Sequence, residues 1–122
     1  MLISKTIELA KENEKPVPQN GFIDFMELDL GGYKVHCYYF GGAHTTDNIV
    51  IWIPSEEVLF GGCMIRDINS TGLGNIADAS IEEWLPTIQK VIDNFPSAKK
   101  VVPGHGQIDG LELLEHTKRQ LE

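Results

Sequence analysis

The sequence predicts an α/β unit, and three observations carry that expectation. Hydrophobic periodicity shifts from helical spacing to alternation near Phe22; an unalternating apolar run, Ile49 to Ile53, stops at Pro54; and one amphipathic helical pattern is followed by a short apolar run and a last helix. The expected order is helix, four strands, helix, strand, helix, within one unit spanning residues 1–122.

Residues 3 to 13 place Ile3, Ile7 and Ala10 on one helical face, and Pro16 with Pro18 ends any helix there. Met26, Leu28 and Leu30 then alternate with Glu27 and Asp29. After Gly31-Gly32, Tyr33, Val35, Cys37 and Tyr39 alternate with Lys34 and His36, which predicts a hairpin. Ile49 to Ile53 suits a strand buried on both faces, and Val58-Leu59-Phe60 pairs with it as a second strand pair. Residues 61 to 79, with Gly61, Gly62, Gly72 and Gly74, read as a long loop of the kind that carries function. Ser80 and Glu83 have the spacing of a capping box ahead of Trp84, Ile88, Val91, Ile92 and Phe95, an amphipathic helix stopped by Pro96. Pro86 lacks an N–H, so either the first turn is separate or the main helix begins near Leu85. Lys100-Val101-Val102 is a short strand, and Leu111, Leu114, Lys118 and Leu121 mark the last helix.

The composition excludes several partners. Eighteen acidic against ten basic residues give a formal charge of -8, which argues against nucleic acid and against an anionic membrane surface. No apolar run is long enough to span a bilayer, and Met1-Leu2-Ile3-Ser4-Lys5 turns polar too early for a signal peptide, so none is expected in these residues.

Chemistry concentrates in three small-residue segments: Gly42-Ala43-His44, Gly61-Gly62-Cys63 and Gly104-His105-Gly106. Each offers one borderline or soft metal ligand with little bulk beside it, as a zinc site would use. A lone loop histidine is more often a surface residue, the reading adopted for His36 and His116. Cys37 and Cys63 have the option of a disulfide, with which a metal role for Cys63 competes. Nothing local marks a cysteine-hydrolase elbow, and Gly72-Leu73-Gly74-Asn75 does not open a helix after a strand as a phosphate loop does.

Seven segments then stand in one order along nearly the whole chain: Lys15-Pro16-Val17-Pro18, Cys37-Tyr38-Tyr39, His44 with Asp47-Asn48, Leu59-Phe60-Gly61-Gly62-Cys63, Leu73-Gly74-Asn75, Trp84-Leu85-Pro86 and Val101-Val102-Pro103-Gly104-His105. In this the sequence resembles the second half of the subclass B1 metallo-β-lactamases, zinc-dependent hydrolases of β-lactam antibiotics, and particularly those of Bacteroides-like bacteria. Cys63 discriminates within the wider superfamily, whose other branches generally carry a bridging aspartate there.

The resemblance implies the C-terminal αβ half of an αββα sandwich, with a mixed, mostly antiparallel sheet and helices on one face. It makes His44 a ligand of a first zinc, and Cys63 and His105 ligands of a second. It also implies that Asn75 polarises the lactam carbonyl. Arg66 stands where the family usually has a lysine that grips the substrate carboxylate, and arginine can do so through two parallel hydrogen bonds. In the reaction it implies, zinc lowers the pKa of the attacking water toward ~7, and the second zinc stabilises the departing nitrogen.

The family's His-x-His-x-Asp motif is absent from these 122 residues. By the same resemblance one of three protein ligands is kept at the first site and two of three at the second, so neither site is expected to be complete. The polypeptide taken alone is expected to hydrolyse β-lactams poorly or not at all. Its inter-sheet face would be exposed, which implies a homo-oligomer or a partner carrying the N-terminal half. The implied location is the periplasm, and the implied role antibiotic resistance. Two other classes compete: a non-catalytic module gathering His44, Cys63 and His105 around one zinc, and a structural fragment that dimerises through its sheet.

Overall fold

The computed structural model describes residues 7, 8 and 10–122. Residues 7, 8 and 10–12 are helical, as expected ahead of Pro16, whereas the part of that helix expected over residues 3–6 lies outside the described residues. The alternating segments form a hairpin of β1 (Phe25–Asp29) and β2 (Lys34–Tyr38). Asp29 organises its turn, accepting the Gly32 N–H at 3.1 Å on one carboxylate oxygen and Lys34 Nζ at 3.1 Å on the other.

β3 (Val50–Ile53) pairs antiparallel with β2, and β4 (Val58–Gly62) antiparallel with β3. A parallel neighbour needs a crossover, which α1 (Ile81–Asn94) supplies before β5 (Lys100–Pro103) joins β4. α2 (Glu112–Leu121) closes the chain. The sheet runs β1-β2-β3-β4-β5 and is mixed and mostly antiparallel, as expected.

Two helix expectations change. α1 is one continuous helix with Pro86 inside it, not two pieces. The missing Pro86 N–H would have faced the Glu82 carbonyl, and both residues are exposed, so water can replace the lost bond. The capping box does not close either: Ser80 Oγ donates to the Glu83 carboxylate, and the Ser80 backbone N–H is taken by the Ala43 carbonyl at 2.8 Å.

The register divides the sheet into two unlike faces. Tyr38, Val50, Trp52, Leu59 and Val101 point to the side covered by both helices. Val50, Leu59 and Val101 are fully buried there with Trp84, Ile88, Val91, Leu113 and Leu114. On the other side Met26, Cys37, Ile51, Phe60 and Val102 form one apolar row across all five strands. β3 is therefore not buried on both faces as expected: Ile51 and Ile53 stay half-exposed, and Phe60 is exposed at 39 %.

The Asp29 carboxyl lies below the usual carboxylate range because the Gly32 N–H, then Lys34, hold its charged form. A depressed folded-state pKa stabilises above the unfolded value, and that stabilisation is lost as pH falls through the folded one. The Gly32 amide resonance is expected to titrate below the usual carboxylate range, a step that Asp29→Asn abolishes.

Candidate metal-binding loops

Strand directions bring the three ligand-bearing segments to one end of the sheet. With β2, β3 and β4 antiparallel and β5 parallel to β4, the β2–β3 loop and the C-terminal ends of β4 and β5 share that end. His44 lies in that loop, Cys63 directly after β4, and His105 two residues after β5.

The His44 loop is fastened to α1 from below. The carbonyls of Phe40, Gly42 and Ala43 accept from Lys90 Nζ at 3.2 Å, Thr87 Oγ1 at 2.8 Å and the Ser80 N–H at 2.8 Å. Above them Asn48 ties the loop to itself, accepting the Thr45 N–H at 3.0 Å and donating to the Gly41 carbonyl at 3.1 Å. Tyr39 donates to the Thr46 carbonyl at 2.8 Å, and burial, then the charges of Glu83 and Asp47, push its phenol up. The half-buried His44 ring meets the Trp84 indole edge to face, centroids 5.8 Å apart.

Trp84 also reaches the second segment. Its Nε1–H donates to the carbonyl of Met64, the residue after Cys63, at 3.0 Å in the core. Met64 and Ile65 are themselves buried, at 1 % exposure, which the expectation of a plain loop over 61–79 had missed. The register of β4 on β5 slips between Phe60 and Gly62, a bulge that turns the chain out of the sheet just before Cys63.

The third segment packs directly on this turn. A Cβ at position 104 would lie 2.6 Å from Cys63 Sγ and 2.7 Å from the Cys63 backbone N, so only glycine lets the two turns touch. Val101 and Asp109 exchange two backbone hydrogen bonds, of 2.7 and 3.2 Å, and so close the chain between them into a loop with exposed His105 near its tip.

The Cys63 turn and the His105 loop are thus in contact, and His44 is linked to them through Trp84. Among the described residues no group of three or more His, Cys, Asp or Glu side chains is gathered so as to hold an ion. Thiolate and imidazole are donor types that zinc takes, and Cys63 is half-buried. Both cysteines are free, and burial raises the Cys37 thiol in mid-sheet, so the disulfide alternative is not realised.

The substrate-side candidates also neighbour one another. Arg66 Nε donates to the Gly72 carbonyl at 3.0 Å, beneath the loop that carries Asn75. Asn75 is exposed, and its side-chain oxygen accepts the Ala77 N–H at 3.0 Å. The two histidines read as surface residues are half-buried and have hydrogen-bond partners. His36 pairs with Glu27 at 2.8 Å, and His116 Nε2 lies 3.0 Å from the Ser70 carbonyl. No helix among the described residues is long and apolar enough to cross a membrane.

No protein-family model matches the chain. A metallo-β-lactamase type 2 from Bacteroides fragilis is 54 % identical over 114 residues, 93 % of this chain and 46 % of that protein. The corresponding protein of Bacillus cereus is 41 % identical over 92 % of this chain and 44 % of its own length. A solved metallo-β-lactamase from Pontibacter korlensis superposes with a TM-score of 0.89 at 40 % identity, covering 96 % of this chain and 54 % of that one. The chain spans about half the length of the relatives it matches. These likenesses bear out the family read from the motifs and the expected sheet.

Gly104→Ala is expected to push the Cys63 and His105 turns apart. Backbone atoms on both sides must shift, so a loss of about 1–3 kcal/mol in urea unfolding is expected. Faster reaction of Cys63 with a disulfide reagent in the folded protein should accompany it.

Proposed function

The chain has the sequence and the fold of a metallo-β-lactamase over about half the length of one, and from this we propose that it supplies the second half of a zinc-dependent β-lactam hydrolase. The observation that carries the reading is the meeting of the Cys63 and His105 turns at the sheet end where His44 also lies. In this reading residues 1–122 form one unit. Cys63 and His105 hold one zinc, and His44 contributes to another. Bound zinc supplies Lewis acidity to a carbonyl and lowers the pKa of a water toward ~7.

The chain's own groups do the rest. Arg66, with Nε already held by Gly72, offers its remaining N–H groups to the substrate carboxylate. Asn75, exposed on the loop above, donates its side-chain N–H to the lactam carbonyl while its oxygen keeps the Ala77 bond. The half-buried His44 ring is kept in one orientation by the Trp84 indole and the fastened loop.

Three ligands do not complete two catalytic zinc sites that take three protein ligands each. The 122-residue polypeptide by itself therefore hydrolyses β-lactams poorly or not at all. The missing ligands belong on a companion half whose sheet covers the apolar row Met26, Cys37, Ile51, Phe60 and Val102. Location in the periplasm and a role in antibiotic resistance follow from the same reading. The row, exposed at Phe60 and half-buried at Met26, Ile51 and Val102, also favours a second reading, in which two copies of the chain pair through this face without catalysis.

Mixing the chain with a companion half carrying His-x-His-x-Asp, with zinc, is expected to produce carbapenem hydrolysis that either half lacks. Chelation should abolish it, whereas no turnover from a well-folded complex would end the lactamase reading. Sedimentation of the chain alone is expected to show a dimer or larger species that Phe60→Lys converts to monomer. A stable monomer at the outset would sink association through the sheet.

A further inference from the structure

Arg66 is held at both ends by α2, a helix that carries none of the candidate ligands. Its backbone N–H donates to Thr117 Oγ1 at 2.8 Å. Thr117 is fully buried, and its own hydroxyl hydrogen goes to the Leu113 carbonyl at 2.8 Å, so the oxygen is left to accept from Arg66 alone. At the other end Arg66 Nε donates to the Gly72 carbonyl, and the Gly72 N–H donates to Gln120 Oε1. One turn earlier, His116 Nε2 lies against both the carbonyl of Ser70, at 3.0 Å, and its hydroxyl, at 3.2 Å.

Three residues of α2 thus fasten the segment from Arg66 to Gly72 at three points. The next residues lie over the guanidinium itself: a Cβ at position 74 would sit 2.9 Å from Nη1, and Gly74 has φ +75°. A guanidinium with Nε occupied still has its Nη donors, in one plane and set for the two parallel bonds a carboxylate accepts. Lysine at this place could not be preset in that way, because its ammonium is a point charge on a free stem.

We propose that Gln120 and Thr117 are positioning residues that preset Arg66 for a carboxylate, Gln120 acting through the Gly72 peptide groups and Thr117 through the Arg66 backbone. The inference rests on the reading of Arg66 as the carboxylate holder. It requires no hydrolysis by this chain.

The chain contains two arginines, Arg66 and Arg119, so their Nε–H resonances can be told apart and the exposed Arg119 serves as internal reference. In Gln120→Leu, Arg66 Nε–H exchange with solvent is expected to accelerate about three- to tenfold, the range one net hydrogen bond supports. Arg119 should not change, and Gln120→Glu, which keeps an acceptor, should restore slow exchange. Acetate titrated into the unaltered chain is expected to shift the Arg66 signals, with an affinity about three- to tenfold weaker in Gln120→Leu. Gln120→Ala gives the same readout should the leucine variant fail to fold. Unchanged exchange and acetate affinity in a folded variant would overturn the positioning role. No Arg66 response to acetate in the unaltered chain would overturn the carboxylate role on which it depends. A chain that binds acetate as stated yet never hydrolyses a β-lactam with its companion would contradict the lactamase reading and leave the positioning role supported.

Discussion

The arrangement of the functional end depends on one indole. Trp84 is fully buried, and its Nε1–H finds its acceptor in the Met64 carbonyl, twenty residues away in sequence. An indole N–H left without that partner costs about 1–3 kcal/mol, so the position of α1 and the path of the chain after β4 are coupled. The same ring sets the edge against His44. Helix, β2–β3 loop and Cys63 turn therefore share a single point of reference, and a shift of any one is felt by the other two. The hydrogen bonds from Ser80, Thr87 and Lys90 to the Ala43, Gly42 and Phe40 carbonyls strengthen that coupling along α1.

The sheet imposes the second constraint. Its side-chain period is two, so each strand commits alternate residues to opposite faces, and only one face receives helices. The helix side has an ordinary core built around Leu59, Val50 and Val101. The other side carries an apolar row with polar groups confined to its margins, as at Lys100 beside Val58. In the proposed reading this is the face that a companion sheet covers. The helix-covered face explains why a chain half the length of its relatives still forms a packed core around Leu59, Val50 and Val101.

Much of this was legible in the sequence, and the reasons differ by element. Alternation exposed the hairpin because Met26, Leu28, Val35 and Cys37 share one face. The small residues around His44, Cys63 and His105 marked turns, and those turns do meet or neighbour one another. What was not legible depended on contacts distant in sequence. Pro86 reads locally as a helix boundary, yet α1 passes through it because the carbonyl it leaves unpaired faces water. Ser80 and Glu83 read as a capping box, but the Ser80 N–H had a better partner in Ala43, thirty-seven residues earlier. Met64 and Ile65 were hidden in a glycine-rich stretch without periodicity, and their burial follows from the bulge that bends the chain back over Gly61. The partners of His36 and His116, Glu27 across the hairpin and Ser70 across the loop, are not visible from local spacing.

If the remaining ligands sit on a companion half, metal binding and docking of the halves become one equilibrium. Cys63 and His105 alone offer zinc two donors, and an ion held by two side chains keeps much of its coordination open to water. Closing the apolar face brings further donors to the same ion, so the free energy of completing the coordination adds to that of burying the row. Reciprocity follows: whatever factor docking adds to zinc affinity, zinc adds to docking. The Gly104–Cys63 contact would bear on this coupling, because it keeps the two donor-bearing turns together. A looser junction would let zinc settle on the separate half by dragging the turns toward itself, and metal would then report little about assembly. In that reading, with the turns held, completing the site would bring the second sheet to the first.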